Sequence, residues 1–218
     1  LEHIESIYND KSRYAKNKLL EKMRRNDEFP LSNLISKESI DNITPASLYS
    51  FYKDILDSSY IIINGMGDFD SDYIIEKMKT FNLKSNEISK EFYSKSIWEK
   101  EECKYFEEVQ NLEQAKLNIG FRTKISENDA LYPAYVVFSA MFGGIMNSTL
   151  CSVVREERSM AYSIYSSILA DRKVFMVCAG IDCANIEEVV KIVLKELDNY
   201  TKGNIKDKDK LLKMAKEC

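Results

Sequence analysis

The stretch that decides the fold runs from Phe142 to Ser167 and reads FGGIMNSTLCSVVREERSMAYSIYSS. We expect Gly143 and Gly144 to form a turn that ends the preceding helix, because glycine adopts positive φ without strain. The apolar residues that follow are spaced as on a short helix, which closes with Arg-Glu-Glu-Arg. From Ala161 the chain alternates between apolar and polar residues, which predicts a β-strand. One stretch therefore joins a turn, a helix and a strand.

The short helix and the strand within this stretch have predicted faces. The N-cap of the helix is Asn147 or Ser148, whose side chains can accept hydrogen bonds from the first turn. The residues predicted to be buried on the helix are Leu150, Val153 and Val154. The charged residues from Arg155 to Arg158 are predicted to be solvated, where ion pairs contribute little. The strand is predicted to turn four residues to one face: Tyr162, Ile164, Ser166 and Ile168.

The segments on either side alternate between strand-like and helix-like patterns. The predicted strands outside the stretch are residues 60–63, 106–110, 116–122 and 174–181. The predicted helices are residues 4–24, 44–55, 71–78, 130–142, 186–197 and a last one from about residue 207. The candidate N-caps are Thr44, Asp70 or Ser71, Asp129 and Asn185. Residues 174–181 are apolar on both faces, so they should lie centrally in a sheet. Hairpin pairs flanked by helices predict an α+β fold of two layers, a largely antiparallel sheet with helices packed on one face.

Composition excludes several classes of function. The chain has 218 residues, a net charge of −4 and a pI of about 5.3, with acidic and basic residues interspersed, so we expect no nucleic-acid partner. No apolar run is long enough to span a membrane, and we expect no membrane partner. The chain has five cysteines, an odd number, and no two of them have C-x-x-C spacing. A framework of disulfide bonds is therefore not expected, which favours a reducing, cytoplasmic location.

The chain contains a single histidine, His3. A catalytic zinc takes three protein ligands, commonly two histidines and a carboxylate, so no metal site is predicted in this chain. A Ser-His-Asp or Cys-His centre would have to use this same imidazole. We therefore predict no catalytic residue and no cofactor in these residues.

The segment GMGDFDSD, from Gly65 to Asp72, has two functional interpretations that fail on the residues. A dinucleotide loop would need a third glycine where Asp70 stands, and its aspartates would repel a pyrophosphate. A calcium loop would need glycine at Tyr73 and glutamate at Lys79. A turn into a helix whose N-terminus favours Asp70 accounts for the pattern. An unrelated small-molecule-binding α+β domain, with this segment as its ligand loop, stays as an alternative.

Three segments together resemble the insulinase and pitrilysin family of zinc peptidases, which includes the mitochondrial processing peptidases. The stretch from Phe142 to Ser167 resembles the signature of that family's second homologous half. ITPASLYSFYKDIL before IIINGMGDFD resembles the helix and strand that enter this half. LEQAKLNIGFRT resembles the strand that precedes its long apolar helix. The three matches occur in the family's order within residues 44–218.

The resemblance implies a clamshell of two similar halves around a chamber. The zinc motif, His-x-x-Glu-His with a downstream Glu, belongs to the first half and is absent from this sequence, so zinc would be held by the missing half or by a partner chain. The second half supplies an Arg and a Tyr that reach towards the peptide, and these match Arg155 and Tyr162. A guanidinium can hold a peptide carbonyl or carboxylate, and a phenol can polarise a carbonyl.

Two observations keep other interpretations open. On the residues alone, Arg155 could cap its helix and Tyr162 could pack in the sheet. The family's usual Gly-Leu before the Ala-Tyr pair is Ser159-Met160 in this chain, a difference that is compatible with a non-peptidase homologue.

Together these patterns predict the organisation and the function. We expect residues 1–43 to close a preceding homologous half, and residues 44–218 to form the second half, truncated at its C-terminus, in a fragment of a longer bacterial protein. The predicted function is that of a non-catalytic half, inactive alone, that lines the chamber, contacts extended peptide and docks the first half or a partner subunit. The alternative is a catalytically inactive scaffold subunit that pairs with an active homologue.

Overall fold

The computed structural model describes residues 2–23, 37–81 and 102–217. The chain divides into two compact units, one made of Leu1–Leu34 with Glu101–Cys218 and the other of Ile35–Lys100. The predicted division at residue 43 concerns homologous halves, which contacts within the chain do not define, so it stays a prediction.

Eight α-helices and three β-strands make up the regular structure of the described ranges. The helices are α1 (Glu2–Asn9), α2 (Lys11–Lys22), α3 (Lys37–Asp41), α4 (Pro45–Ser58), α5 (Ser71–Lys79), α6 (Tyr132–Ser139), α7 (Ile186–Thr201) and α8 (Lys208–Glu217). The strands are β1 (Ala115–Arg122), β2 (Ala161–Leu169) and β3 (Val174–Ile181). Two π-helical segments, Ala140–Gly144 and Cys151–Glu156, and a 3₁₀ turn, Cys183–Asn185, lie between them.

The three strands form one antiparallel sheet in the first unit, in the order β1-β3-β2. β2 and β3 form a hairpin whose turn contains Asp171 and Arg172. Every residue of β3 is buried. The prediction that this segment lies centrally in the sheet is therefore confirmed.

One face of the sheet packs on helices and forms the main core. From β3, the residues in this core are Phe175, Val177, Ala179 and Ile181. The same cluster contains Val154 from the second π-helix, Leu150 just before that helix, and Val189 and Val193 from α7, all fully buried. Full burial of one such side chain stabilises the fold by about 1.5–3 kcal/mol. An antiparallel sheet with a helical layer on it confirms the predicted α+β class.

The other face of the sheet is covered in part by α2. Leu20 lies in a buried cluster with three residues of β3, Val174, Met176 and Cys178. At Gly120 the absence of a side chain lets the Met23 sulfur lie against β1. The main helical layer is on one face, and α2 adds a cover near the beginning of β3.

The prediction of a single helix over residues 4–24 is wrong at residue 10. α1 ends at Asn9, and the Asp10 side chain accepts a hydrogen bond from the Arg13 backbone N–H at 3.0 Å, which begins α2. Aspartate competes with the helix by bonding nearby backbone groups, which is why it favours such a cap over a helix interior.

The predicted caps of the second unit are confirmed. The Thr44 side chain accepts from the Ser47 backbone N–H at 3.1 Å, and the Ser47 side chain accepts from the Thr44 backbone N–H at 3.0 Å. Pro45 occupies the first helical position of α4. Asp70 caps α5 by accepting from the Asp72 backbone N–H at 2.9 Å.

Two predicted strands, residues 60–63 and 106–110, are not formed. A strand needs a hydrogen-bonded neighbour, and apolar content alone does not supply one.

Leu48 and Phe51 of α4, which have helical spacing, are 58% and 62% exposed. The described part of the second unit contains helices and no sheet, so nothing within it covers this stripe.

α8 packs through Leu211 and Ala215 in a small buried cluster with Met141 of the first π-helical segment.

No helix among residues 2–23, 37–81 and 102–217 is both long and apolar enough to cross a membrane.

Candidate functional site

The site begins where the second π-helix ends and the chain turns into β2. Ser159 takes a positive φ of 53°, and its N–H donates to the Arg155 carbonyl at 3.1 Å. The next N–H, of Met160, donates to the Val154 carbonyl at 3.0 Å. A left-handed residue just past a helix C-terminus reverses the chain, and glycine is its usual occupant. This conformation explains why the resembled family has glycine at the position of Ser159. In this chain Ser159 adopts the same conformation with a side chain, which is strained.

A β-bulge then directs Tyr162 outwards. Ala161 pairs with Ile181 and Ser163 pairs with Gly180, so Tyr162 is an extra residue in β2. Its side chain is 58% exposed, whereas Ala161 beside it is buried. The prediction that Tyr162 shares a face with the buried Ile164 and Ser166 is wrong, because the bulge shifts the alternation by one residue.

Arg155 and Tyr162 line the same cleft. This surface cleft has a volume of about 350 Å³, and its lining consists of Arg155, Ser159, Met160, Ala161, Tyr162 and Asp182. The Tyr162 hydroxyl donates to Asp182 Oδ1 at 3.3 Å. Within the described ranges, the Arg155 guanidinium has no hydrogen-bond or ion-pair partner. The cleft therefore presents an Arg155 guanidinium without a bonded partner among the described residues, together with a phenol and a carboxylate.

Asp182 is a site residue that the sequence analysis missed. It follows β3 directly, and its carbonyl accepts from the Asn185 backbone N–H at 2.9 Å. Asn185 also donates from Nδ2 to the Met160 carbonyl at 3.4 Å, which joins this turn to the other wall of the cleft. Only the bulged pairing of β2 with β3 brings Asp182 to Tyr162, and the linear sequence carries no signal of that bulge.

The charges that end the second π-helix are exposed, as predicted. Arg158 pairs with Glu188 at 3.6 Å, and Glu157 pairs with Lys206 at 2.8 Å. The hydrogen bond from Lys206 lowers the pKa of the Glu157 carboxyl below its usual value. Solvent screens such surface pairs, so they contribute little to stability. Neither pair involves Arg155.

The glycine pair ends the first π-helical segment, but not by adopting positive φ. A Cβ at Gly143 would lie 2.6 Å from the Ser166 backbone nitrogen and 2.8 Å from its Oγ. Gly143 is therefore required by close packing against β2. Of the two predicted caps, Asn147 or Ser148, Ser148 directly precedes the helical residues, and its carbonyl accepts from the Ser152 N–H at 2.9 Å. Its buried Oγ has no hydrogen-bond partner among the described residues, so the predicted side-chain cap is not formed there.

The residues that the structure describes do not fit a catalytic zinc. None of the groupings of His, Cys, Asp or Glu side chains within residues 2–23, 37–81 and 102–217 could hold a metal ion. The sequence has one histidine, and the zinc motif of the resembled family needs two.

The sequence is similar to a known protein family and to a protein of Bacillus subtilis. A profile described as the peptidase M16 inactive domain matches residues 42–216. The probable inactive metalloprotease YmfF of Bacillus subtilis is 30% identical over 208 residues, which are 95% of this chain and 49% of that protein.

Solved structures agree with the fold. A conserved protein from Enterococcus faecalis V583 has a TM-score of 0.80 and 27% identity, over 99% of this chain and 50% of that one. A peptidase M16 inactive domain from Pseudomonas fluorescens has a TM-score of 0.70 and 21% identity, over 100% of this chain and 52% of that one. The chain thus spans about half the length of the relatives that it matches. Since the profile match covers most of its residues, the chain belongs to the peptidase M16 inactive-domain family.

Proposed function

We propose that this chain is the non-catalytic half of an M16-type peptidase-like protein, in which it lines a chamber and contacts an extended peptide. The observation that carries the proposal is the shared cleft: Arg155 from a helix end and Tyr162 from a bulge line it together. Bulges are common next to functional sites, where they re-aim a side chain.

The chemistry of the cleft suits a peptide backbone. The Arg155 guanidinium, which has no partner among the described residues, presents donors that match a carbonyl or carboxylate oxygen. The Tyr162 hydroxyl donates to Asp182 and keeps a lone pair that can accept a hydrogen bond from a peptide N–H. Neither group activates water, so the proposed role is to hold a peptide while another polypeptide segment performs any hydrolysis.

The proposed partner is a zinc-bearing M16 half, either in the same polypeptide or in a partner subunit. Two observations support it: the chain spans about half of its relatives' length, and its described residues contain no group of side chains that could hold zinc. We also propose that the protein is bacterial and located in the cytoplasm. Cys103, Cys151, Cys178 and Cys183 are free thiols, which agrees with a reducing compartment.

A second candidate function is an inactive scaffold that pairs with an active homologue. The observation that favours it is the name of the Bacillus subtilis relative, a probable inactive metalloprotease. The full-length coding sequence distinguishes the two candidates. A His-x-x-Glu-His motif in the other half supports the peptidase, and its absence supports the scaffold.

Peptide binding to the full-length protein tests the proposed contact. The test peptide is an unstructured, fluorescein-labelled chain of Ala, Ser and Gln, and the measurement is fluorescence anisotropy. We expect Arg155→Gln to weaken binding about tenfold and Tyr162→Phe about fivefold, as for charged and neutral hydrogen bonds. Arg158→Gln is the matched control, because Arg158 ends the same helix and pairs with Glu188 outside the cleft. Equal affinities for all four proteins, or no binding by the wild type, would overturn the proposal.

A further inference from the structure

A row of three residues crosses the sheet next to the cleft. Lys116 of β1 pairs with Gly180 of β3, and Gly180 pairs with Ser163 of β2. Residues paired side by side in a sheet point to the same face. Gly180 shares its face with Met176 and Cys178, which lie in the α2 cluster, so the row belongs to the face that α2 covers in part.

The side chains of this row converge on one point above Gly180. A Cβ built on Gly180 would lie 3.0 Å from Ser163 Oγ and 3.5 Å from Lys116 Nζ. It would also lie 3.4 Å from Gln114 Oε1. An ammonium, a hydroxyl and an amide thus surround a space that only glycine leaves open. Ser163 is exposed, so the space is reached from solvent.

The ammonium in this space lacks a negative partner among the described residues. Lys116 is half-buried and donates to Gln114 Oε1 at 3.3 Å. Across the ranges that the structure describes, it forms no ion pair with a carboxylate. A partly desolvated ammonium is stabilised by an anion that also accepts hydrogen bonds. The Ser163 hydroxyl is a further donor to such an anion, and Gln114 Oε1 accepts from the Lys116 ammonium and fixes its position.

The row and the cleft lie side by side on the same end of the sheet. Ser163 directly follows Tyr162, and Gly180 stands two residues before Asp182. An extended chain advances about 3.3 Å per residue, so a peptide in the cleft reaches the row within a few residues. We infer that Lys116 and Ser163 form a carboxylate subsite over Gly180, with the Lys116 ammonium positioned by Gln114. It binds an acidic side chain or the C-terminal carboxylate of the peptide, and this inference rests on the proposed peptide contact.

A set of matched peptides tests the subsite on the full-length protein. The test peptide is made with a C-terminal acid or amide, and with an internal Glu or Gln. We expect the wild type to bind a carboxylate form about fivefold more tightly than its neutral counterpart, in the range of exposed to partly buried ion pairs. The acid and amide arm detects a C-terminal carboxylate, and the Glu and Gln arm detects a side chain.

Four variants separate the subsite from general effects. Lys116→Gln should abolish the preference for the carboxylate, and Gly180→Ala should reduce it by filling the space. Lys191→Gln removes the same charge from the exposed side of α7 and should keep the preference. Thermal unfolding of each variant checks that it folds. A second charge variant, Lys116→Glu, should favour the neutral peptide, and this reversal does not depend on absolute affinity.

The outcomes distinguish the two proposals. Peptides that bind with no carboxylate preference, or a preference that survives Lys116→Gln, overturn the subsite and leave the cleft proposal intact. A failure of every peptide to bind the wild type overturns the cleft proposal and the subsite together.

Discussion

The hydroxyl of Tyr162 donates to Oδ1 of Asp182 at 3.3 Å, which ties the bulge residue of β2 to the first residue after β3. The Asp182 carbonyl is itself held by the Asn185 N–H at 2.9 Å. Because the Tyr162 ring is largely exposed, this bond is the contact that sets the direction of its hydroxyl. Asp182 is therefore a positioning residue for Tyr162.

A double-mutant cycle tests this positioning role. We expect Asp182→Ala to weaken binding of the test peptide about threefold, because the phenol loses the hydrogen bond that orients it. In a Tyr162→Phe background the same change should have no effect, since the residue acts through the phenol. Asp182→Asn keeps an acceptor and should retain most of the affinity. A loss of equal size in both backgrounds would instead indicate a general structural role.

Replacing Ser159 with glycine should stabilise the fold. Its φ of 53° places a side chain in the left-handed region, which is unfavourable by about 1–2 kcal/mol for a residue with a Cβ. Glycine loses more entropy on folding, which offsets roughly 0.5–1 kcal/mol of the gain. We expect Ser159→Gly to raise the free energy of unfolding in urea by about 0.5 kcal/mol. The control, Ser167→Gly within β2, should lower it, and a decrease for Ser159→Gly would contradict the assigned strain.

Gly143 should not tolerate a side chain. The new Cβ of Gly143→Ala would lie 2.6 Å from the Ser166 backbone nitrogen, and the required shift should lower the free energy of unfolding by about 1–3 kcal/mol. Removing the Ser166 hydroxyl in the double variant with Ser166→Ala should not rescue it, because the backbone atom remains. Rescue in urea unfolding would show that the side chain is the obstacle.

The raised pKa of Tyr165 predicts a loss of stability at high pH. Burial raises its pKa to about 12, and the neighbouring Cys178 adds to the shift. The folded state therefore keeps a proton that the unfolded state releases above about pH 10. The contribution of the protonated Tyr165 side chain to the free energy of unfolding is fully present below about pH 10, and it is lost as the pH rises towards about 12. Tyr165→Phe should make the free energy of unfolding in urea less dependent on pH over that interval, and it should remove one tyrosinate's absorbance that develops near pH 12. An unchanged absorbance near pH 12 would count against the assignment.

Much of the sheet could be predicted from the sequence, whereas the geometry of the cleft could not. β3 was recognisable because it is apolar on both faces, and a central strand is buried on both. The bulge at Tyr162 depends on how β2 pairs with Ile181 and Gly180, which no local pattern encodes. Asp182 was missed for the same reason. At Gly143 the residue type was recognised as special, but its cause is a contact with Ser166, far away in sequence.

The central claim is that Arg155 and Tyr162 contact a peptide in one cleft, and photo-crosslinking tests it most directly. A photoreactive phenylalanine analogue is placed at Tyr162 of the full-length protein, or at Tyr132 in α6 as the control. After irradiation with the test peptide, mass spectrometry locates the crosslinks. The account predicts peptide adducts at position 162, reduced by Arg155→Gln, and none at position 132. Equal labelling at both positions, or none at 162 while peptide binds, would contradict it.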